Sequence, residues 1–247
     1  MTADVPSVDY RERLYRLYST THFARGREVS RAGIEAERPD FEARFGSVLP
    51  ESRDDRILEI GSGYGAFLDY LGSKGFRNAV GIDVSPEQVR IGKDLGIENL
   101  HLAEANAYLR QYRSEFDCIV AIDLLEHLTK TEVLDFLEAA LASLKAGGRL
   151  IVHTVNAEWP FFGNILYGDF SHEVAFTVKS IRQVLAATGF SEIRVMPAGH
   201  AVKGFLSAVR WLLLRAELIL KMPNHVYAEN LVAVAIRPKT DSAALND

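Results

Sequence analysis

The stretch RILEIGSGYGAFLDYL, residues Arg56–Leu71, decides the fold, because a short apolar strand runs through three glycines directly into a helix. Glycine permits positive φ and lets backbone N–H groups approach a ligand, while a helix N-terminus favours negative charge. A second apolar run, AVGIDVS, ends at Asp83, where doubly wound nucleotide sites carry the acid that accepts ribose hydroxyls. The two motifs together predict a site for a nucleoside-containing cofactor at the carboxyl ends of neighbouring strands.

Strands and helices alternate outward from this stretch. Short apolar runs bounded by Gly, Asp or Asn predict strands at Arg56–Ile60, Ala79–Asp83, Asn99–Ala103, Phe116–Ile122 and Arg149–Thr154, with Ser191–Met196 and Asn230–Arg237 in the tail. Helices are predicted at Gly65–Lys74, Pro86–Leu95, Lys130–Lys145 and Val178–Thr188. Such alternation implies right-handed crossovers and an α/β fold, a Rossmann-like, doubly wound, mostly parallel sheet with helices on both faces.

The composition is that of a soluble globular chain: 247 residues, 48% hydrophobic and 25% charged, with a formal net charge of -5. This balance supplies no chain-wide basic field for phosphates, so we expect no nucleic-acid partner. Cys118 is the single cysteine, which excludes an intramolecular disulfide and argues against a cysteine-based zinc site. The N-terminus lacks the basic and apolar segments of a secretory signal, which favours a cytoplasmic location.

The glycine stretch fits two classes of cofactor, since GSGYGA also satisfies the dinucleotide fingerprint G-x-G-x-x-G/A. Glu59, at the end of the first strand, separates them, because a carboxylate there repels a pyrophosphate and attracts a cationic ligand. A NAD-dependent oxidoreductase is therefore the alternative of a different class. A catalytically silent binding protein with the same fold is the third hypothesis.

Three motifs together resemble the class I S-adenosylmethionine-dependent methyltransferases: E-x-G-x-G-x-G after a strand, D-x-S after the next, and FDCIVAIDLLEHL as the fourth strand with its exit loop. The resemblance covers about Arg53 to Phe190 and the last strand, and it implies a seven-stranded sheet. It also implies S-adenosyl-L-methionine as the cofactor. The methionine part would be held by Glu59 together with the loop residues Gly61, Ser62, Gly63 and Gly65.

The same resemblance assigns the rest of the cofactor. Asp83 would hold the ribose, and Val84 would flank the adenine. The segment AEANAYL falls where the family often has Gly-Asp-Ala, so Glu104 would lie near the adenine amine with Ala105 beside it. Asn106 could serve in place of Glu104.

The methyl acceptor is expected outside the carboxyl ends of the fourth and fifth strands, as in other open α/β sheets. The first exit loop, AIDLLEHL, contributes Asp123, which the resemblance places against the cofactor, and Glu126 and His127, which open a helix. The second, between His153 and Phe190, mixes aromatic and polar side chains. Such a mixture is expected of a loop that lines a ligand.

His172 is the first candidate for a general base, because a histidine titrates near neutrality and can take a hydroxyl proton as the O–CH3 bond forms. Asp169 would orient its ring or contact the acceptor, and His153 is the second candidate base. The alternative is that Asp169 and His172 have only a structural role and hold the loop in place before the next helix. A divalent metal held by these residues and Asp123 has no diagnostic spacing, so no metal site is predicted.

These observations predict an S-adenosylmethionine-dependent methyltransferase that methylates a hydroxyl of a small acceptor. GDFSHEVAFTVKSI resembles a branch that often acts on sugars, so a sugar or glycoconjugate precursor is the first acceptor. LEHL also resembles the O-methyltransferases of ubiquinone biosynthesis, which makes a polyprenylated phenol the second. N-methylation of an amino sugar needs much the same pocket.

Two appendages accompany the predicted methyltransferase domain of residues 51–247. Residues 1–50 are predicted as a helical arm or lid that contains Tyr15, Tyr18, Thr20 and His22. The resemblance implies that this arm folds over the cofactor, and the alternative is a helix packed on the back face of the sheet. A helical insertion is predicted at about 200–225, where Lys203–Lys221 has a broad apolar face that must be covered. The cover would be the protein's own substrate face, a second subunit in a homodimer, or a membrane surface near a lipid-linked acceptor.

Overall fold

The structure is a computed structural model, and it describes residues 10–15, 29–198 and 228–239 of the chain. The predicted insertion helix Lys203–Lys221 and the arm residues 16–28, with Tyr18, Thr20 and His22, lie outside these residues. The division into an arm and a domain at residue 50 therefore stays a prediction. Within the described ranges, no helix combines the length and the apolar character needed to cross a membrane.

Seven strands form one sheet in the order β3-β2-β1-β4-β5-β7-β6. Their bounds are β1 Ile57–Ile60, β2 Ala79–Asp83, β3 Leu100–Leu102, β4 Phe116–Ile122, β5 Leu144–Val155, β6 Ser191–Pro197 and β7 Asn230–Ile236. The pairings among β1 to β5 are parallel, whereas β7 runs antiparallel between β5 and β6. The predicted mostly parallel, doubly wound sheet is confirmed. The strand order reverses between β1 and β4, whose carboxyl ends form the crevice where such sheets bind ligands.

The described helices are α1 Tyr10–Tyr15, α2 Arg31–Phe45, α3 Ala66–Ser73, α4 Pro86–Asp94, α5 Ala105–Leu109, α6 Lys130–Ser143, α7 Phe162–Leu166 and α8 Val178–Ala187. A single 3-10 turn, Leu125–His127, follows β4. The four helices predicted after the glycine loop are confirmed with small differences at their ends. The short helices α5 and α7 escaped prediction, because five residues display too little of the helical period.

Local capping signals start the helices at the carboxyl edge of the sheet. Ser85 accepts the Gln88 N–H at the start of α4, with Pro86 in the first turn. Thr129 and Glu132 form a reciprocal capping box at the start of α6. These caps satisfy backbone N–H groups that the first helical turn leaves without partners, so each helix begins directly beside the ligand crevice.

Two apolar layers hold the helices on the sheet. On one face α2 packs against α3, where the Phe45 and Phe67 rings meet edge to face with centroids 5.1 Å apart. On the other face the buried side chains of α6 and α8 include Phe136, Leu137, Ile181 and Leu185. Cys118 lies buried in β4, in agreement with its interpretation as a small core residue.

Candidate active site

The glycine loop between β1 and α3 takes a backbone conformation that residues other than glycine rarely adopt. The φ angle is 76° at Gly61, 54° at Gly63 and 85° at Gly65. At Gly65 a β-carbon would also lie 2.9 Å from Cγ2 of Ile97. Both the positive φ angle and this close contact therefore disfavour a side chain at Gly65. The loop therefore needs its glycines, as the sequence motif predicts.

Asp83, at the end of β2, ties the glycine loop to the strand. Its Oδ2 accepts the Gly63 N–H at 2.8 Å, and its Oδ1 accepts the Ser85 N–H at 2.7 Å. Burial raises the pKa of Asp83, and these backbone N–H groups oppose that effect. Because a carboxylate has about four lone-pair positions, both oxygens can each accept one hydroxyl more. Asp83, which is predicted to bind the ribose, is thus fixed in position and can still accept hydrogen bonds from hydroxyl groups.

Glu59 is a buried carboxyl group at the end of β1. Burial raises its pKa to about 8, and the charge of Asp83 acts in the same direction. Its Oε2 has no hydrogen-bond partner among the described residues, and the buried Ser62 donates its hydroxyl to the Glu59 carbonyl oxygen at 3.2 Å. A buried carboxyl oxygen without a donor suits a cationic group such as an ammonium. The residues present therefore fit the cationic cofactor that the motif implies.

An apolar surface lies beside Asp83. Val84 is 58% exposed and Leu102 is 55% exposed. Leu102 stands opposite Asp83 in the β2–β3 register. The sequence prediction named Val84 and missed Leu102, whose signal is an apolar residue in the last position of a strand. Both side chains therefore leave apolar surface open to a ligand near Asp83.

The two candidates for the adenine amine differ in the structure. Glu104 caps α5, because its Oε1 and Oε2 accept the N–H groups of Asn106 at 2.9 Å and Ala107 at 2.7 Å. Ala105 is the first residue of that helix. Oδ1 of Asn106, in contrast, is buried and has no hydrogen-bond partner within the described part of the chain. Asn106 therefore offers a buried acceptor without a partner among the described residues, whereas each carboxylate oxygen of Glu104 already accepts one N–H of its own helix.

Asp123 and His153 form a pair at the ends of β4 and β5. Nδ1 of His153 lies 2.7 Å from Oδ1 of Asp123, which has a positive φ of 48°. Desolvation opposes ionisation of Asp123, but the His153 imidazole outweighs it and holds the pKa of that carboxyl below its ordinary value. His153 is buried, and the Phe45 ring packs against it. This enclosure favours a role in holding Asp123 over the predicted role as a second base.

Glu126 joins the two acceptor loops. It is buried, its Oε2 accepts the Thr154 hydroxyl at 2.9 Å, and its carbonyl oxygen accepts the N–H groups of Glu173 at 2.7 Å and Val174 at 3.2 Å. Burial, and after it the charge of Asp123, raise the pKa of Glu126 well above its ordinary value. These contacts draw the loop after β5 onto the loop after β4.

Three side chains from the two loops meet at this junction: His127, Asp169 and His172 each offer an atom within 4.8 Å of the others. The two histidine rings pack edge to face with centroids 4.6 Å apart. Ser171, which the sequence did not single out, lies with its hydroxyl 2.6 Å from Oδ1 of Asp169 and 2.9 Å from Nδ1 of His127. We call these three residues the His127–Asp169–His172 cluster.

The tautomer of His172 follows from its surroundings. Its Nδ1 lies 3.1 Å from the carbonyl oxygen of Leu166, which can only accept, so Nδ1 carries the proton and Nε2 the lone pair. Burial lowers the pKa of His127 to about 4, and the neighbouring His172 acts in the same direction. His127 is therefore neutral at neutral pH. The predicted base His172 has the tautomer that proton abstraction at Nε2 requires.

The loop that carries Asp169 and His172 also presents exposed aromatic side chains. Tyr167 and Phe170 are each 82% exposed, directly beside Asp169 in the chain. The same loop contacts α1, because the Tyr10 hydroxyl donates to Glu173. The described part of the predicted arm therefore touches the loop that holds the predicted base.

A family model described as a methyltransferase domain matches residues 17–195. The chain is similar to the ubiquinone biosynthesis O-methyltransferase of Bradyrhizobium diazoefficiens, with 30% identity over 117 residues, which are 46% of this chain and 45% of that protein. It is also similar to the cyclopropane-fatty-acyl-phospholipid synthase of Escherichia coli strain K12, with 26% identity over 103 residues, 42% of this chain and 27% of that protein. These matches span about half, or less, of the relatives' length.

Solved structures share the fold. A SAM-dependent methyltransferase from Archaeoglobus fulgidus superimposes with a TM-score of 0.64 at 17% identity, over 90% of this chain and 99% of that one. The Haemonchus contortus phosphoethanolamine N-methyltransferase 2, solved with S-adenosyl-L-methionine, gives a TM-score of 0.60 at 16% identity, over 94% of this chain and 61% of that one. At sequence identities this low, the similarity to these two structures shows a shared fold and nothing about the substrate.

Proposed function

Because the chain belongs to the methyltransferase-domain family and is an S-adenosylmethionine-dependent methyltransferase, we propose that it transfers the methyl group to a hydroxyl oxygen of a small acceptor. Family membership decides against the NAD-dependent oxidoreductase. The proposal rests on the hydrogen bond of His172. Its Nδ1 donates a proton to the Leu166 carbonyl oxygen, so its Nε2 carries a lone pair. A base with that arrangement suits an acceptor that must lose a proton.

On the cofactor side, the bound S-adenosylmethionine supplies a methyl group made electrophilic by a positively charged sulfur. Glu59 attracts its ammonium group with a buried carboxyl oxygen that has no partner among the described residues. Asp83 accepts the ribose hydroxyls, while Val84 and Leu102 contact the adenine ring with their exposed apolar surface. Asn106 accepts from the adenine amine through its buried Oδ1. These assignments are supported by the contacts of each side chain.

On the acceptor side, His172 takes the hydroxyl proton through Nε2 as the O–CH3 bond forms. The proton remains on the imidazole, and the resulting charge is stabilised by Asp169, whose carboxylate lies within 4.8 Å in the same cluster. His127 is neutral and adds no repulsion to this charge. General base catalysis of this kind contributes about 10²- to 10⁴-fold to the rate.

The acceptor that these residues favour has a flat or apolar body. The exposed rings of Tyr167 and Phe170 next to Asp169 suit stacking on such a molecule. The ubiquinone-biosynthesis relatives are named as O-methyltransferases, and a phenol, with a pKa of about 10, gives up its proton to an imidazole more readily than an alcohol does. We therefore place a phenolic hydroxyl first. The sugar or glycoconjugate precursor and the amino sugar stay predictions, without support from these relatives.

A competition assay tests the acceptor. Purified protein is incubated with methyl-labelled S-adenosylmethionine and, in parallel, with a prenylated catechol, a panel of nucleotide sugars and an amino sugar. We expect labelled ether on the catechol with a kcat/KM at least about tenfold above the others, equivalent to ~1.4 kcal/mol of transition-state binding. A higher value for a sugar would reverse the order of acceptors. Label found on nitrogen alone would contradict O-methylation.

The affinity for S-adenosylmethionine should rise as the pH increases from 6 to 8. Glu59 has a pKa of about 8 in the unliganded protein and must ionise to pair with the ammonium group, so binding releases a proton. The association constant therefore increases with pH, by up to about tenfold per unit, until the pKa is reached. Above it the cofactor's own α-amino group, with a pKa of about 8, loses its charge and the increase ends.

Isothermal titration calorimetry in two buffers of different ionisation enthalpy measures both the affinity and the proton release. The matched control is Glu59→Gln, which keeps the shape of the side chain and removes its titration. Its affinity should be lower at pH 8 and nearly independent of pH below 7.5. A wild-type affinity that is constant from pH 6 to 8 would contradict the pairing of Glu59 with the ammonium group.

A further inference from the structure

The His127–Asp169–His172 cluster has the composition of a metal site. It brings two imidazoles and one carboxylate within 4.8 Å of one another, and it lies on the acceptor loops, apart from the residues assigned to the cofactor. Asp169 is buried, and the two histidines are half-buried. The sequence spacing did not reveal this set, because His127 follows β4 and the other two follow β5.

The ring nitrogens of both histidines are arranged as metal ligands require. Ser171 has a single hydroxyl proton, which it donates to Oδ1 of Asp169 at 2.6 Å, so the contact of 2.9 Å with Nδ1 of His127 must be donated by His127. Nδ1 of His172 donates to the Leu166 carbonyl at 3.1 Å. Both histidines therefore carry their proton on Nδ1 and their lone pair on Nε2, the tautomer in which Nε2 can bind a cation.

The same contacts supply the outer shell of hydrogen bonds. Histidines that bind metals nearly always donate their other ring N–H to a carboxylate, a backbone carbonyl or a water, which fixes the orientation of the ring. Here the acceptors are the Leu166 carbonyl for His172 and the Ser171 hydroxyl for His127. Ser171 is fully buried and also donates its backbone N–H to Asp169 at 2.9 Å, so it orients the carboxylate as well.

We propose that the His127–Asp169–His172 cluster binds one divalent transition-metal ion through Nε2 of both histidines and a carboxylate oxygen of Asp169. Imidazole and carboxylate donors together match zinc, manganese and ferrous ions, whereas calcium and magnesium prefer oxygen donors alone. Zinc–nitrogen bonds of about 2.0–2.1 Å place tetrahedral ligands ~3.4 Å apart, so side-chain rotation must close the cluster slightly. Three protein ligands leave a position open, as catalytic sites do.

The use of this open position rests on the proposed function. An ion held by these three residues would act as a Lewis acid that lowers the pKa of an acceptor hydroxyl, whose proton would leave to the solvent. The O–CH3 bond would then form as the S–CH3 bond breaks and its electron pair returns to sulfur, which would leave a neutral ether. With an ion bound, Nε2 of His172 would be a ligand and the ion would activate the hydroxyl, whereas in the ion-free protein His172 is the base described under the proposed function.

Calorimetric titration of the metal-free full chain with zinc chloride, and separately with manganese chloride, tests the site without cofactor or acceptor. We expect the wild type to bind one ion per chain. His127→Ala and Asp169→Asn should weaken binding at least ~100-fold, and Ser171→Ala about 10- to 100-fold through the loss of ligand orientation. The matched control is His101→Ala, which removes an exposed histidine from β3 and should leave the affinity unchanged.

The fold of each variant is checked through its affinity for S-adenosylmethionine, which should stay within about twofold of the wild type. Asp169→Asn keeps an oxygen that Ser171 can use, so it remains informative if an alanine variant fails to fold. Zinc binding by the wild type that is absent, or equal to that of His127→Ala and Asp169→Asn, overturns the proposal. Because no acceptor is present, failure of the proposed O-methylation leaves this outcome unaffected.

Discussion

In the metal-free protein, replacing His172 by alanine should lower kcat by about 10²- to 10⁴-fold, the usual contribution of a general base, while the affinity for S-adenosylmethionine stays within about twofold. His172 lies on the loop after β5, which the contacts of Glu126 hold against the loop after β4. The residues assigned to the cofactor under the proposed function lie on β1, β2, β3 and α5 and the loops beside them, so removal of the imidazole leaves them in place. The loss should therefore appear in turnover and spare cofactor binding.

The measurement is steady-state kinetics with the accepted hydroxyl compound, together with calorimetric titration of the cofactor. His101→Ala is the matched control, because it removes an exposed histidine outside the site and should retain wild-type turnover. A folded His172→Ala protein with unchanged kcat would remove His172 as the base and make His153, despite its enclosure, the next candidate.

Replacing Asp83 by alanine should weaken the binding of S-adenosylmethionine at least about 100-fold, equivalent to ~2.7 kcal/mol. The substitution acts twice, because the carboxylate that would accept the ribose hydroxyls also holds the Gly63 N–H at 2.8 Å. Without it the glycine loop loses the contact that joins it to the end of β2. Direct ligand contacts and the shape of the loop are therefore lost together.

Calorimetric titration of the variant measures this loss, with the melting temperature as the check on folding. Asp94→Ala is the matched control, since Asp94 is an exposed residue of α4 whose ion pair with Arg90 is worth only about 0.3–0.5 kcal/mol. Asp83→Asn retains one acceptor oxygen and should show an intermediate loss. Wild-type affinity in a folded Asp83→Ala protein would contradict the assignment of the ribose site.

The cofactor half of the site was largely predictable because its determinants are local in the chain. Gly61, Gly63 and Gly65 all take the positive φ angles that their spacing implies. Glu59 and Asp83 lie near the carboxyl ends of two strands that pair in parallel, so their placement follows once the strands are recognised. The apolar contact at Leu102 was missed because its exposure depends on the edge position of β3, which only the strand order reveals.

The acceptor half depended on contacts between distant segments. Sequence reasoning selected Asp169 and His172 by residue type, but it gave no reason to place them beside His127 or to notice Ser171. The hydrogen bonds from Glu173 and Val174 to the Glu126 carbonyl bring the two loops together. Likewise, the sequence placed Glu104 first and Asn106 second for the adenine amine, and the cap of α5 distinguishes them.

The sequence by itself determined the α/β class, the cofactor and the strand ends that receive it, because strand periodicity, glycine conformation and a carboxylate at a strand end act within a few residues of chain. The tertiary structure alone decided that Glu59 is buried with a pKa of about 8 and that His127, Asp169 and His172 converge. The physical reason is that desolvation and side-chain convergence depend on which segments pack together. Hydrophobic and hydrogen-bonding patterns along the chain indicate that segments pack together, but they do not indicate which segments do so.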